Sequence, residues 1–223
     1  GSGWGAFLKF AAEKYGIEGV GVTISKEQAE YSRRDLKDLP IEIRMQDYRQ
    51  LKEKFDRVVS IGMFEHVGPP NYRRFFERIS AILEEPYSER NTQDGGGLAL
   101  IHTIVGNVPR LRTDPWIDAH IFPGGVIPSL RQIMEASEGV LVTEHCDYTG
   151  LNYARTLAAW EENFEAGFGE LKSSHPSTHT EKFRRKWKYY LASCKGYFLA
   201  GHGRVVQILF SKTGVPGGVT WIT

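Results

Sequence analysis

Cysteine is scarce in this chain. Cys146 and Cys194 are the only two among 223 residues, and they form no CxxC pair. That excludes a disulfide framework and a structural zinc site, and it points to a reducing, cytoplasmic setting. A surplus of charge is also lacking: 28 Lys and Arg stand against 27 Asp and Glu, a net charge of +1. A nucleic-acid partner calls for a clear basic excess, so none is expected. No apolar run approaches the roughly 18 residues of a membrane-spanning helix. There is no signal-peptide pattern and no internal repeat. What is there is 41% hydrophobic and 25% charged residues, the balance of a globular domain with an ordinary core. The length fits a single domain over 1–223.

The first five residues, Gly1-Ser2-Gly3-Trp4-Gly5, form a turn of the kind that joins a strand to a helix in α/β nucleotide-binding units. Glycine lets the backbone approach a ligand closely, and a helix from Ala6 to Tyr15 aims its first N–H groups at that ligand. No strand precedes the turn, so the chain reads as a fragment whose first strand lies upstream. Further strands are expected at 19–24, 41–45, 55–61, 98–104, 140–146 and 204–211. Helices are expected at 26–36, 72–83, 128–138, 152–168 and 180–199. Ser25 with Gln28 has capping-box spacing, and Asn71 is placed to cap the next helix. Tyr72, Phe75, Phe76, Ile79, Ile82 and Leu83 recur at helical spacing and make one apolar face. Residues 84–97 read as a polar surface insertion, and about 105–139 as an excursion that covers a substrate. The alternation predicts a Rossmann-like α/β fold: a mostly parallel sheet, helices on both faces and an antiparallel last strand.

Such sheets bind ligands at the carboxyl ends of their strands. Those ends carry the glycine turn, Thr23-Ile24-Ser25, Asp47-Tyr48, Gly62 to His66, and His102 with Ile104. Gly1-x-Gly3-x-x-Ala6 formally matches a dinucleotide fingerprint, but the carboxylate expected about 20 residues on is replaced by Thr23-Ile24-Ser25. Asp47-Tyr48 supplies a carboxylate and a ring after the third expected strand. These features favour S-adenosylmethionine over a nicotinamide dinucleotide, and a dinucleotide oxidoreductase stays as the disfavoured alternative.

With those residues placed, the chain resembles the cyclopropane-fatty-acyl-phospholipid synthases and mycolic acid cyclopropane synthases. The resemblance runs over essentially the whole chain. It rests on Gly1-x-Gly3-Trp4-Gly5, Gly21-Val22-Thr23-Ile24-Ser25-x-x-Gln28, Gln46-Asp47-Tyr48-Arg49, Gly62-Met63-Phe64-Glu65-His66-Val67-Gly68, His102-Thr103-Ile104, Asp114-Pro115-Trp116-Ile117, Ile121-Phe122-Pro123 and Cys194. It implies an S-adenosylmethionine-dependent methyltransferase acting on a cis double bond of an unsaturated phospholipid acyl chain and closing a cyclopropane ring through a carbocation. The implied base is a bound bicarbonate, with Glu65 accepting its proton and His102, Tyr153 and the Ile104 N–H donating to its oxygens. The implied cofactor residues are Gly1, Gly3, Trp4, Gly5, Thr23, Ile24, Gln28, Asp47 and Tyr48. Phe64, Trp116, Phe122 and Tyr153 are aromatic faces for a cation. A bicarbonate-contacting cysteine of the family lies upstream of the glycine turn and has no counterpart here.

Each of these residues also has a plainer use. Glu65 can cap a helix, His102 can be a satisfied core histidine, and Tyr153 can be a packing aromatic. Cys194 falls on the apolar face Phe183, Trp187, Tyr190, Leu191, Cys194, Phe198, where a small buried hydrophobe is as good a reading as an active-site thiol. The basic run Lys182 to Lys188 is a solvated helix face or a contact with anionic headgroups. The resemblance implies transient peripheral membrane contact and allows a homodimer. It leaves open a methyl-branched lipid or an N-methylated small molecule as product, and a domain that binds without turning over.

Overall fold

The computed structural model describes residues 1–85, 96–149 and 152–220. The expected insertion at 84–97 falls largely outside them. Helix α1 (Ala6–Tyr15) is set between two left-handed glycines, Gly5 at φ 84° and Gly16 at φ 64°. It leads into strand β1 (Gly19–Thr23), helix α2 (Lys26–Asp35) and strand β2 (Ile41–Met45). Strand β3 (Arg57–Ile61), helix α3 (Tyr72–Ile82) and strand β4 (Leu98–Gly106) follow. The chain ends with α4 (Pro115–His120), α5 (Leu130–Ser137), β5 (Val142–Tyr148), α6 (Asn152–Ser174), α7 (Glu181–Leu199) and β6 (Gly203–Ser211).

Some local expectations fail for identifiable reasons. Ser25 caps α2 by accepting from the Gln28 N–H. The Gln28 side chain does not return the bond; its Oε1 accepts from the Thr23 hydroxyl at 2.7 Å. Asn71 does not cap α3, because its side-chain amide donates to the Val67 carbonyl instead. A reciprocal capping box does form at Ser129 and Gln132, where it starts α5. The excursion contains α4, which Asp114 opens by accepting from the N–H groups of Trp116 and Ile117. Helix α6 runs six residues past its expected end at 168, to Ser174.

The four-stranded sheet has the order β3-β4-β6-β5. β3 is parallel to β4, and β6 runs antiparallel to both β4 and β5. Alternation along β4 divides the core into two layers. Ala99, Ile101 and Val105 point to a cluster with Phe75, Phe76 and Ile79 of α3 and Ile133 of α5. Ile104 points the other way, into a cluster with Leu157 of α6 and Leu191 and Phe198 of α7. The apolar face read from α3 is buried as expected. No helix of the described residues is long and apolar enough to cross a membrane.

β1 and β2 form a separate parallel pair. Val20 and Val22 of β1 share a cluster with Val58 of β3, yet no ladder joins the two strands. Thr23 accepts from Gln46 and Val22 accepts from Ser2, so the even-numbered backbone groups of β1 face away from β2. Gly62 donates to His102, so Val59 and Ile61 likewise turn their backbone groups away from β4. Both strands therefore present one row of backbone groups to the space between them, and the side chains of Val59 and Ile61 are exposed.

Hydrogen exchange tests this division. The amides of Val20, Val59 and Ile61 should exchange orders of magnitude faster than those of Ile101 and Ile208, which lie in the paired interior. Equal protection would show that the two half-sheets are bridged in solution.

Candidate active site

The cofactor side begins at the glycine turn. Ser2 donates its N–H to the Val22 carbonyl at 2.7 Å, which places the turn at the carboxyl end of β1. Gly3 is left-handed (φ 55°), and nothing lies within 4 Å of where a Cβ would project, so this glycine faces open space. A Cβ on Gly5 would lie 2.9 Å from Leu36, so this glycine serves packing against α2. Gly62 after β3 repeats the open, left-handed arrangement. The Ser2 and Ser32 hydroxyls are buried without a partner. A cradle of open glycines at the ends of β1 and β3, with an orphaned hydroxyl, fits a polar, nucleoside-sized group.

Thr23, at the end of β1, pins Gln28 across that end. No carboxylate is offered there, since Glu27 is turned to the Ser25 hydroxyl at 2.9 Å. Ile24 is 81% exposed and supplies a bare apolar surface at the mouth. Asp47 caps its own turn and is forked by Arg49 at 2.6 Å, and this pairing holds its carboxyl below the usual range. Tyr48 is half-buried, its ring 5.6 Å from Phe75 and packed at a steep angle to it. Trp4 stands outside the turn, edge-on to Tyr31 of α2 at 5.4 Å, and is largely exposed.

The reacting side is built where β4 outruns β3. Their pairing ends at Ile61 and His102, and Gly62 still donates to the His102 carbonyl at 2.9 Å. The next β4 N–H on that edge, that of Ile104, meets no strand. It donates instead to Glu65 Oε1 at 2.7 Å. Glu65 Oε2 is buried and has no partner. The Glu65 carbonyl accepts from Val126 at 2.8 Å, which fastens the excursion over the site.

His102 is half-buried, and burial lowers its pKa although the Glu65 charge pulls the other way. Its Nδ1 lies 3.2 Å from the Gln207 side-chain amide on β6, the residue directly opposite it in register. With an amide N–H donating to Nδ1, the neutral ring carries its proton on Nε2 and is a donor toward the site. Tyr153 of α6 is within reach of the Glu65 charge and of the Cys194 thiol; burial first, then Glu65, raises its pKa. Cys194 of α7 is held up at about 11 by burial, so it is a thiol and not a thiolate at neutral pH.

Glu65, His102, Ile104, Tyr153 and Cys194 are thus brought to one place. Phe64 is not: it is fully buried, stacked on Tyr72 at 4.5 Å within the α3 core. Phe122 packs steeply against Tyr190 at 5.8 Å and His66 at 6.0 Å, so the excursion does bring aromatics over the strand ends. Gln207 escaped the sequence reading, and Ser2 and Gly62 were named there within the glycine turn and the strand-end run without a role of their own. Gln207 carries no local signal, since only the antiparallel register places it opposite His102. The assembly offers an orphaned buried carboxylate oxygen, a neutral imidazole donor and a phenol, beside a glycine cradle. Such a set can hold a small oxyanion or take up a proton in a water-poor site.

Comparison with known proteins agrees with this geometry. Residues 1–208 match the family model described as mycolic acid cyclopropane synthetase. The cyclopropane-fatty-acyl-phospholipid synthase of Escherichia coli K12 is 40% identical over 219 residues, covering 98% of this chain and 53% of that protein. The solved cyclopropane synthase MmaA2 of Mycobacterium tuberculosis is similar with a TM-score of 0.80 and 28% identity, over 95% of this chain and 76% of that one. Mycolic acid cyclopropane synthase CmaA1, solved in complex with SAH and CTAB, gives 0.81 and 29% over the same shares. The chain belongs to the mycolic acid cyclopropane synthetase family and has the Rossmann-like fold of class I S-adenosylmethionine methyltransferases. It spans about half the length of the curated synthase it matches.

Two measurements test the site. Nitrogen-15 NMR of the histidines should find His102 less protonated than a free histidine at pH 6.5, its neutral form carrying the proton on Nε2; Gln207→Leu should mix the tautomers. A protonated ring at pH 7 would contradict the arrangement. Cys194 should react with iodoacetamide far more slowly than a free thiol at pH 8, because only about one molecule in a thousand is ionised three units below the pKa.

Proposed function

We propose that this chain transfers a methylene unit from S-adenosylmethionine to a cis double bond of an unsaturated phospholipid acyl chain, forming a cyclopropane ring. The observation that carries the reading is the Glu65 carboxylate, fixed by the Ile104 amide through one oxygen and left unpartnered and buried at the other. S-adenosylmethionine, when bound, supplies an electrophilic methyl group on sulfur. Gly3, Ser2, Thr23 and Gln28 are the residues that would hold it, with Ile24 as an apolar surface at the mouth and Asp47 and Tyr48 at the next strand end. In the net transfer a carbon–sulfur bond breaks, a carbon–carbon bond forms and the positive charge passes to the other alkene carbon. In this reading Phe122, Tyr153 and Tyr190 would supply the aromatic surface that steadies such a cation without being methylated.

Ring closure then requires loss of a proton from the transferred carbon. The site fits a bound bicarbonate as the base, which when present supplies an oxygen anion beside the cation. Glu65 Oε2 would accept its proton, and His102 Nε2–H and the Tyr153 hydroxyl would donate to its oxygens. The Ile104 N–H is given to Glu65 in the structure, so its part is to orient the carboxylate. Cys194 remains a neutral thiol in the wall. The reading also places the enzyme in transient peripheral contact with the membrane on its cytoplasmic side.

A second reading has one observation behind it, the open division between β1 and β3 at the place where the glycine turn begins. In that reading the domain binds cofactor and lipid without turning over. Incubation with S-adenosylmethionine and unsaturated phospholipid, followed by mass analysis of the acyl chains, separates the two. The first reading expects a gain of about 14 Da, one CH₂, with loss of the double bond. The second expects cofactor binding and no mass change. Glu65→Gln should lower turnover at least about a hundredfold, the usual scale for a positioned proton acceptor, while Cys194→Ser should stay within about threefold because a small buried group replaces another. Full activity in Glu65→Gln would remove the carboxylate from the reaction.

A further inference from the structure

Between Lys182 and Lys188 the chain carries Lys182, Arg184, Arg185, Lys186 and Lys188, interleaved with Phe183 and Trp187. The structure divides these cations into two sets. Arg184 and Lys188 turn toward α6, where both pair with Glu165, at 2.5 Å and 3.4 Å. Their charge is spent on holding the helix pair together. Lys182, Arg185 and Lys186 lie on another side of α7 and make no ion pair with a carboxylate among those found in the described residues. Lys186 reaches only the His120 Nδ1, at 3.3 Å, which accepts a hydrogen bond without cancelling its charge.

Positions 182, 185, 186 and 189 follow the spacing of one helical face. Tyr189 completes that face and is 56% exposed. Trp116 of α4 meets it edge-on at 4.4 Å. The acids nearby are already committed. Glu181 is bound to Lys172 and Arg184, Asp114 caps α4, and Asp118 accepts from Gly124. The result is a patch of cations without an ion pair of their own, although Arg185 is near enough to Glu181 to help lower its pKa, edged by a tryptophan and a tyrosine on a chain whose overall charge is only +1. Cations paired with interfacial aromatics are the chemistry of an anionic lipid surface. Trp116 also belongs to the cluster that contains Tyr153 and Cys194, so the patch borders the wall of the active site.

We propose that this outer face of α7, made by Lys182, Arg185, Lys186 and Tyr189 with Trp116 beside it, is the surface on which the protein docks to an anionic bilayer. The proposal rests on the acyl-lipid reading of the site for its biological sense, and it is tested without turnover. Sedimentation with phosphatidylglycerol-containing vesicles should carry the protein down, and pure phosphatidylcholine vesicles should not. Each cation near such a surface contributes about a fivefold gain in partitioning. The triple variant Lys182→Gln, Arg185→Gln, Lys186→Gln should therefore lose on the order of a hundredfold. The pair Arg184→Gln, Lys188→Gln should lose clearly less, because those two cations face the carboxylates of Glu165 and Glu181 and are turned toward α6. Circular dichroism establishes that both variants are folded. Wild-type partitioning in the triple variant, or an equal loss in the control pair, would overturn the assignment. Vesicle binding without any methyl transfer would leave the docking face standing and defeat the acyl-lipid reading instead.

Discussion

The site depends on one hydrogen bond, from the Ile104 amide to the Glu65 carboxylate at 2.7 Å. It exists because β4 is longer than β3. Where the parallel ladder ends, the next β4 N–H needs an acceptor, and a buried amide left unpaired is costly. Glu65 meets that need with one oxygen, and its other oxygen is left in a dry place with no protein partner. Burial makes that oxygen expensive to keep unsatisfied, which is why it reads as a ligand-facing group. The same carboxylate biases its neighbours. Its charge opposes the burial that lowers the His102 pKa, and adds to the burial that raises that of Tyr153.

The division between β1 and β3 is the second physical constraint. Side chains cross it, through Val20, Val22 and Val58, but backbone hydrogen bonds do not. The glycine turn is anchored to β1 by Ser2 and touches Met63 beyond β3 at 3.2 Å. The cofactor cradle therefore straddles the two half-sheets, and its geometry is only as firm as their relative placement.

Much of this was legible in the sequence, because the rule that ligands gather at strand ends needs only strand positions. Glu65, His102 and Ile104 were picked out that way as candidates, and the buried face of α3 followed from periodicity alone. What was missed depends on contacts between distant segments. Gln207 is placed opposite His102 by antiparallel register, which no local pattern announces. Phe64 adjoins Glu65 in sequence but points into the α3 core, since the short 3-10 turn after β3 sends neighbouring side chains in opposite directions. Asn71 lost its capping role to the carbonyl of Val67. The basic run of α7 looked uniform in sequence, and only Glu165 on the packed helix separates structural charges from free ones.

The central claim is that Glu65 and its neighbours manage a proton lost from the transferred carbon. The most direct measurement supplies S-adenosylmethionine with a fully deuterated methyl group and weighs the product acyl chains. The account predicts a ring carbon that has lost one deuteron to the base, formed slowly or not at all in Glu65→Gln. A product that keeps every deuteron of the methyl group would contradict it.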